Sequence, residues 1–123
     1  MTVLVGYSND FADPNKCGAI ARSQIARGAG SVFNVAGACG YGTLDAAEEA
    51  GVWAIGVDND QSSLGPHVLT SVLKRYDAIF EVLLRRALRG APPARQTIVL
   101  TLRNRGAGLG RISPRVPAAL RAQ

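Results

Sequence analysis

Short apolar runs alternate with helical patterns along the first half of the chain, and this alternation limits the fold more than any other feature. The apolar runs are residues 3–7, 31–36 and 52–57. Asp13 and Pro14 suit the N-cap and first turn of one intervening helix, and Thr43 suits the N-cap of the other. Strands that alternate with helices pair in parallel through right-handed crossovers. The sequence therefore predicts an α/β fold with a Rossmann-like parallel sheet.

The second half of the chain has one strong helical pattern and one strong strand pattern. Residues 72–88 carry apolar side chains at helical spacing and predict an amphipathic helix. Residues 97–102 predict a fourth strand. Residues 67–71 fit either a short strand or the start of the helix, and residues 103–123, rich in Gly and Pro, predict irregular structure.

The basic charge of the protein is concentrated in its second half. The net charge is +5, and residues 74–123 hold eleven of the fourteen Lys and Arg residues. Such a tail raises nucleic acid as a partner. These basic residues are spread over a helix, a strand and a loop, with Tyr76 and Phe80 as the aromatic residues among them. This pattern favours a solvated basic face, and we expect no nucleic-acid partner.

Cysteine and histidine are too scarce to predict metal or nucleophile chemistry. Cys17 lies in a helical pattern and Cys39 in a glycine-rich turn, without CxxC spacing, so we expect no disulfide framework. One histidine, His67, makes a zinc site improbable and leaves Cys39 without an obvious base. The glycines of residues 37–42 lack dinucleotide or P-loop spacing. We therefore expect neither a metal nor a cofactor, and no enzymatic activity.

Polar clusters follow each of the three apolar runs. They are residues 8–10, 37–42 and 58–61. In an open parallel sheet these clusters meet at the carboxyl edge, where ligands bind. Asp58 directly follows its strand, where its carboxylate could accept two hydrogen bonds from vicinal hydroxyls or could cap a turn. Phe33, near a strand end, fits either the core or a platform for a flat ligand.

Residues 32–75 contain an ordered series of motifs: a strand ending in VFNVAGACGYG, a helix with Ala-Ala, and the runs IGVDNDQ and LTSVLKR. This series resembles the basic membrane protein family of substrate-binding lipoproteins. These are type I periplasmic binding proteins similar to purine nucleoside receptors. YSNDFADPNKC and GAGLGRISPRVP extend the resemblance over nearly the whole chain. Ala38 stands where the family has a second glycine.

The resemblance implies a role for each of four residues. Phe33 would stack on the base of a purine nucleoside and Gly37 would bind through its backbone. Asp58 and Lys74 would hold the ribose hydroxyls. Family members feed an ABC importer permease outside the cytoplasm and are anchored to the plasma membrane. From the first ten residues we expect no export signal or lipid-bearing cysteine in this chain.

The resemblance also divides the chain into two units. Residues 1–73 would form the C-terminal lobe of the two-lobed fold. Residues 74–123 would form a crossover helix, a strand and a basic tail that pack on the missing N-terminal lobe, or on a second copy of the chain. Three alternatives stay open: a vestigial fragment without a ligand, a small flavodoxin-like enzyme or regulatory module, and, more remotely, a nucleic-acid binder.

Overall fold

The computed structural model describes residues 2–91 and 97–121 and contains an α/β unit with four helices and four strands in those ranges. The helices are α1 (Pro14–Ala26), α2 (Gly40–Ala50), α3 (Tyr76–Leu88) and α4 (Ala118–Arg121). The strands are β1 (Ser31–Phe33), β2 (Trp53–Asp58), β3 (Val68–Lys74) and β4 (Ala107–Leu109). Single 3₁₀ turns cover Gly37–Cys39 and Ser62–Leu64.

The four strands form one sheet in the order β1-β2-β3-β4. Strands β1, β2 and β3 are parallel, and β4 runs antiparallel to β3. The predicted Rossmann-like α/β fold with a parallel sheet is thus confirmed. Among the described residues, no helix is both long and apolar enough to cross a membrane.

A small core lies between the sheet and the helices α1 and α2. Val32 of β1, Ala54 of β2, and Leu44 and Ala47 of α2 are buried together. The two helices approach closely because small residues line their contact. A Cβ on Gly42 would overlap the Pro14 carbonyl oxygen. The core is therefore built from small and medium side chains, and backbone packing matters as much as side-chain volume.

The ends of the first two helices follow from their sequence, with one correction. Asp13 caps α1 as predicted, since its carboxylate accepts a hydrogen bond from the Asn15 N–H at 2.9 Å. The prediction that Thr43 caps α2 is wrong. The turn Gly37–Cys39 leads directly into the helix with helical backbone angles at Cys39, so α2 begins at Gly40 and Thr43 is buried inside it.

The predicted start of the third helix at residue 72 is also wrong. Val72 pairs with Val57 on one side and with Leu109 on the other, so β3 continues to Lys74 and α3 begins at Tyr76. Apolar spacing in residues 72–76 fits both periods, and the two neighbouring strands decide the outcome. None of the α3 side chains is buried.

Two predicted strands are not strands in the structure. Residues 3–7 have no hydrogen-bonded neighbour in the sheet among the described residues. Residues 97–101 instead have no regular structure and lead into a turn at residues 102–105, where Asn104 accepts from the Thr101 N–H at 2.9 Å and donates to the Val99 carbonyl at 2.7 Å. A strand pattern shows that a segment suits a sheet, and an adjacent strand must still be present to pair with it.

The tail, predicted as irregular, contributes to the sheet and to its surroundings. Strand β4 pairs with β3, and Ser113 is buried, with its hydroxyl donating to the Pro66 carbonyl at 2.6 Å. The Arg115 guanidinium lies 4.8 Å from the centre of the Trp53 ring. Residues 107–113 therefore pack on this sheet, although they belong to the unit predicted to pack elsewhere. Packing of α3 on another lobe stays a prediction.

Candidate ligand-binding site

The carboxyl ends of β1, β2 and β3 lie at one edge of the sheet because the three strands are parallel. Phe33 ends β1, Asp58 ends β2 and Lys74 ends β3. Gly37 opens the turn that leads from β1 into α2. Ligands of open parallel sheets bind beyond this edge. The fold therefore brings the four predicted site residues to the edge where a small-molecule site is expected.

Asp58 and Lys74 form an ion pair between neighbouring strands. The register places Asp58 opposite Leu73, so Lys74 follows directly, and its Nζ lies 2.5 Å from Asp58 Oδ1. Oδ1 is shielded from solvent at this contact. The carboxylate raises the pKa of Lys74. Both side chains stay nearly half exposed, at 46% and 42%, and can reach a ligand.

The Asp58 backbone adopts a conformation that few side chains favour. Its φ is 72°, in the left-handed region, where Asp and Asn are tolerated better than other non-glycine residues. Strain of this kind persists where the surroundings fix it, and it is concentrated at functional sites. The conformation turns the chain at the end of β2 and leaves the Asp58 carboxylate at the sheet edge.

The next polar residues after Asp58 hold the loop together. The Asp60 carboxylate accepts from the backbone N–H groups of Ser62 at 3.1 Å and Arg111 at 3.3 Å. The Ser62 N–H is the main cause of the lowered pKa of Asp60. Gln61 Oε1 accepts from the Val57 N–H at 3.0 Å. Since Asp60 and Gln61 are engaged within the fold, Asp58 is the acidic group here that faces outward without such backbone partners.

The first polar cluster, residues 8–10, has a structural role at Asp10. Its carboxylate accepts from the N–H groups of Ala12 at 2.8 Å and Asp13 at 3.1 Å, and Lys16 Nζ donates at 2.6 Å. Lys16, with help from the two backbone donors, lowers the pKa of Asp10 to about 2. Asp10 therefore orders the entry into α1 and is not free to bind a ligand.

The glycine-rich loop packs against Phe11, which lies shortly before α1 in the chain. Gly37 has φ +56°, and a Cβ there would lie 3.1 Å from the Phe11 carbonyl oxygen. The same oxygen accepts from the Cys39 N–H at 3.2 Å. Glycine is needed at position 37 for both reasons, because a side chain would be strained by the backbone and crowded by Phe11.

A disulfide joins Cys17 of α1 to Cys39 of this loop, with a Cα–Cα distance of 5.5 Å. The expectation of no disulfide is therefore wrong. Sequence spacing could not reveal the pairing, since it depends on α1 and α2 packing side by side. Cys39 is fully buried and bonded, so it cannot act as a nucleophile while the disulfide is intact. The bond instead anchors the loop that carries Gly37.

Two aromatic residues lie near the edge of the sheet, and they differ in setting. Phe33 is 52% exposed and pairs in register with Ile55, on the sheet face opposite the buried Val32. Phe11 is 74% exposed and lies against Gly37. Sequence reasoning missed Phe11. The signal that could have found it is an aromatic residue within the polar turn after the first apolar run.

Comparison with known protein families finds a match over nearly the whole chain. The model of the ABC transporter substrate-binding proteins of PnrA-like type matches residues 1–120. The chain belongs to this PnrA-like family. The resemblance inferred from the motifs is thereby confirmed.

Relatives of the PnrA-like chain are longer proteins from several bacteria. Basic membrane protein B of Borrelia garinii is 42% identical over 84 residues, which cover 65% of this chain and 25% of the relative. The CD4+ T-cell-stimulating antigen of Listeria monocytogenes is 34% identical over 122 residues, 85% of this chain and 34% of the relative. The ABC transporter nucleoside-binding protein BmpA of Lactococcus lactis is 29% identical over 126 residues, which cover 88% of this chain and 36% of the relative. The PnrA-like chain thus spans between a quarter and about a third of these relatives.

Solved structures show the same fold. A solute-binding protein of an ABC transporter system from Aeropyrum pernix matches with a TM-score of 0.74 and 25% identity, over 86% of this chain and 30% of that one. A transcriptional activator of the comK gene from Bacillus halodurans matches with a TM-score of 0.83 and 21% identity. The match covers 95% of this chain and 41% of that one. The second likeness concerns the fold alone.

Proposed function

We propose that this chain forms one lobe of the substrate-binding component of an ABC-type uptake system and that it binds a purine nucleoside against a second lobe. Membership of the PnrA-like family supports a binding role. The name of the Lactococcus lactis relative supports a nucleoside as the ligand. The observation that carries the proposal is the exposed Asp58–Lys74 pair at the ends of adjacent parallel strands.

The pair has the chemistry to recognise a ribose. A carboxylate can accept hydrogen bonds from two vicinal hydroxyls, and an ammonium group can donate to the same oxygens. Because the two groups already neutralise each other, a ligand that adds hydroxyls gains bonds without leaving a charge unpaired. Asp58 and Lys74 therefore bind the ribose hydroxyls, and the affinity for a nucleoside should exceed the affinity for a free base.

The remaining site residues would bind the base. Gly37, without a side chain, lets the ligand approach the backbone of the loop closely. Phe33 is the platform that the family resemblance implies. Phe11 is a second candidate because it is more exposed and lies against Gly37. An aromatic face stacks on a purine without requiring hydrogen bonds, so either residue can serve.

The proposal includes partners and a location. Asp58 and Lys74 are nearly half exposed, so we infer that a second lobe encloses the ligand and that a permease of the ABC importer receives it. We infer that the protein acts outside the cytoplasm, anchored to the plasma membrane, as the family does. The Cys17–Cys39 disulfide supports this location because such bonds persist in oxidising compartments.

A chimera tests the proposal. Residues 2–121 would replace the matching part of the Lactococcus lactis relative, and calorimetry would measure binding of adenosine, 2′,3′-dideoxyadenosine and adenine. We expect adenosine to bind most tightly and loss of the two hydroxyls to weaken binding strongly. Equal affinity for adenosine and adenine contradicts a ribose site. Absence of binding by a folded chimera favours a vestigial fragment.

The same chimera tests for catalysis. Incubation with adenosine or inosine, with and without phosphate, should leave the nucleoside intact by chromatography. Steady release of free base would replace the binding-protein proposal with an enzyme.

A further inference from the structure

The Gln61 side chain folds back onto the strand that precedes it in the chain. Its Oε1 accepts a hydrogen bond from the Val57 N–H at 3.0 Å, and the Gln61 backbone N–H donates to Ser71 Oγ at 3.0 Å. Val57 lies in β2, and Ser71, which is fully buried, lies in β3. One residue of the loop after β2 is therefore bonded to both strands that carry the Asp58–Lys74 pair.

The two bonds lie close to that pair. Val57 directly precedes Asp58, and Ser71 precedes Lys74 on β3. The register pairs residue 56 with residue 71 and residue 58 with residue 73. Gln61 therefore closes the loop of residues 57–61 against the sheet near the register position at which the two charged side chains meet.

Gly56 leaves the space that the Gln61 side chain occupies. A Cβ on Gly56 would lie 2.5 Å from Gln61 Oε1 and 2.5 Å from Ser71 Oγ, which is closer than van der Waals contact allows. Any side chain at position 56 would displace Gln61 or Ser71. The sheet is thus shaped at this point to receive the Gln61 amide.

The loop that Gln61 closes carries the strained backbone of Asp58. A left-handed φ at a residue with a side chain, 72° here, persists where the surroundings fix it. The Asn59 N–H donates to the Val57 carbonyl at 2.9 Å, and Gln61 accepts from the Val57 N–H. Both polar backbone groups of Val57 are therefore bonded to residues that follow Asp58. These bonds fix the direction in which the Asp58 side chain leaves the backbone.

Asp60 holds a different part of the loop. Its carboxylate accepts from the Ser62 and Arg111 N–H groups, so it joins the later part of the loop to the tail. These two bonds do not reach β2 or β3. Gln61, and not Asp60, has the side chain that reaches the backbone beside Asp58.

We propose that Gln61 is a positioning residue of the ligand site, which holds the Asp58 carboxylate beside Lys74 so that the pair can bind two vicinal hydroxyls at once. The proposal rests on the proposed function where it concerns the ligand, and on the geometry alone where it concerns the pair. Hydrogen bonds weaken steeply when their angles are poor, and a binding group must be held to within about 0.5 Å by its supporting residues. The preference for ribose over a sugar without the two hydroxyls therefore depends on Gln61, although Gln61 need not touch the ligand.

A titration of the intact 123-residue chain tests the position of the pair without any ligand. NMR would follow the Lys74 side chain, whose pKa the Asp58 carboxylate raises. Gln61→Leu keeps the bulk of the side chain and removes the acceptor, so Asp58 should move away and the pKa of Lys74 should fall towards that of a free lysine. Val68→Ala is the control. Val68 is buried at the other end of β3, so its truncation should lower stability and leave the pKa of Lys74 unchanged.

Binding to the chimera tests the consequence for the ligand. Gln61→Leu should lower the affinity for adenosine about tenfold and the affinity for 2′,3′-dideoxyadenosine less than about twofold. Gln61→Glu keeps an acceptor for the Val57 N–H and should retain most of the preference for adenosine. If Gln61→Leu fails to fold, Gln61→Asn replaces it in both experiments, because its shorter side chain does not reach Val57.

Three results would overturn the proposal. They are an unchanged pKa of Lys74 in a folded Gln61→Leu or Gln61→Asn variant, equal weakening of adenosine and dideoxyadenosine, and a preference lost as fully in Gln61→Glu as in Gln61→Leu. Each would leave Gln61 with a role in stability alone. If the unaltered chimera binds no nucleoside, the proposed function fails, and the Lys74 titration still decides whether Gln61 positions the pair.

Discussion

Lys74 Nζ lies 2.5 Å from Asp58 Oδ1, and the two residues end neighbouring parallel strands. A β2 shorter by one residue would move Asp58 away from Lys74, because the register fixes which residues face each other. The pair is therefore a product of the sheet as much as of the two side chains. Its position explains why Asp58 and Asp60, two residues apart in sequence, have different roles.

The Asp58→Gly variant should weaken ligand binding without lowering the stability of the fold. In the chimera it should weaken nucleoside binding by about 1.5–3 kcal/mol, the usual worth of a hydrogen bond to a charged group. The stability should stay level or rise by up to ~1 kcal/mol, because glycine accepts the left-handed backbone at position 58 without strain. Calorimetry and urea unfolding measure the two effects. A loss of binding free energy below about 0.5 kcal/mol would indicate that Asp58 acts in the turn after β2 and does not bind the ligand.

Substitution of each phenylalanine identifies the aromatic platform. If Phe33 stacks on the base, Phe33→Leu should weaken adenosine binding about tenfold or more, and Phe11→Leu should have a much smaller effect. If Phe11 is the platform, the order reverses. Leucine keeps apolar bulk, so a fall in affinity reports the lost stacking. Equal and small effects in the chimera would contradict an aromatic platform from this lobe.

Because of Asp10, the stability of the fold should decrease at acidic pH. Lys16, Ala12 and Asp13 lower its pKa to about 2 in the folded chain, below the ordinary aspartate value of 3.8. The folded state therefore favours the charged carboxylate, and this contribution is present above pH 4 and is lost as the pH falls towards 2. Asp10→Asn should be less stable at pH 7 and should lose less stability between pH 4 and 2. The exposed Asp45→Asn serves as a control, and identical acid profiles for Asp10→Asn and the unaltered chain would contradict the role of Asp10.

Reduction of the disulfide should loosen the chain. A disulfide that closes a loop of about 15–25 residues contributes about 3 kcal/mol to the free energy of unfolding. Cys17 and Cys39 are 22 residues apart, so we expect a loss of similar size in urea unfolding with reductant. The Cys17→Ala/Cys39→Ala variant should be destabilised without reductant and should not respond to it. A chain whose unfolding midpoint is the same with and without reductant would show that the bond does not form.

The sequence predicts the fold well where local pattern and neighbour agree. Asp13 and Pro14 start α1, and the apolar run 52–57 becomes the central strand β2. The pattern fails where the outcome depends on partners distant in the chain. Residues 3–7 have strand character without an adjacent strand, and residues 72–74 join a sheet that the helical period could not reveal.

The candidate site was predictable to a similar extent. Asp58 directly follows a strand motif, whereas Lys74 lies within the predicted helix and gained its role only from the family resemblance. The register of β2 and β3 brings the two residues together. The pairing of Cys17 with Cys39 and the contact of Phe11 with Gly37 were not predictable, because both depend on how α1 and the residues before it pack against the Gly37 loop. Tertiary contacts of this kind leave no periodic signal in the sequence.

Self-association of the isolated chain is the last expectation. Tyr76, Phe80 and Leu84 of α3 are 52%, 62% and 63% exposed, and burial of each side chain contributes roughly 1.5–3 kcal/mol. Since no α3 residue is buried in the chain alone, two copies can cover these faces mutually until a second lobe replaces one of them. We expect a dimer at micromolar concentration by sedimentation. Phe80→Glu/Leu84→Glu should give a monomer, and Val82→Glu, on the opposite side of the helix, should leave the dimer intact. A well-folded monomer of the unaltered chain would contradict this expectation and would leave the second lobe as the remaining partner for α3.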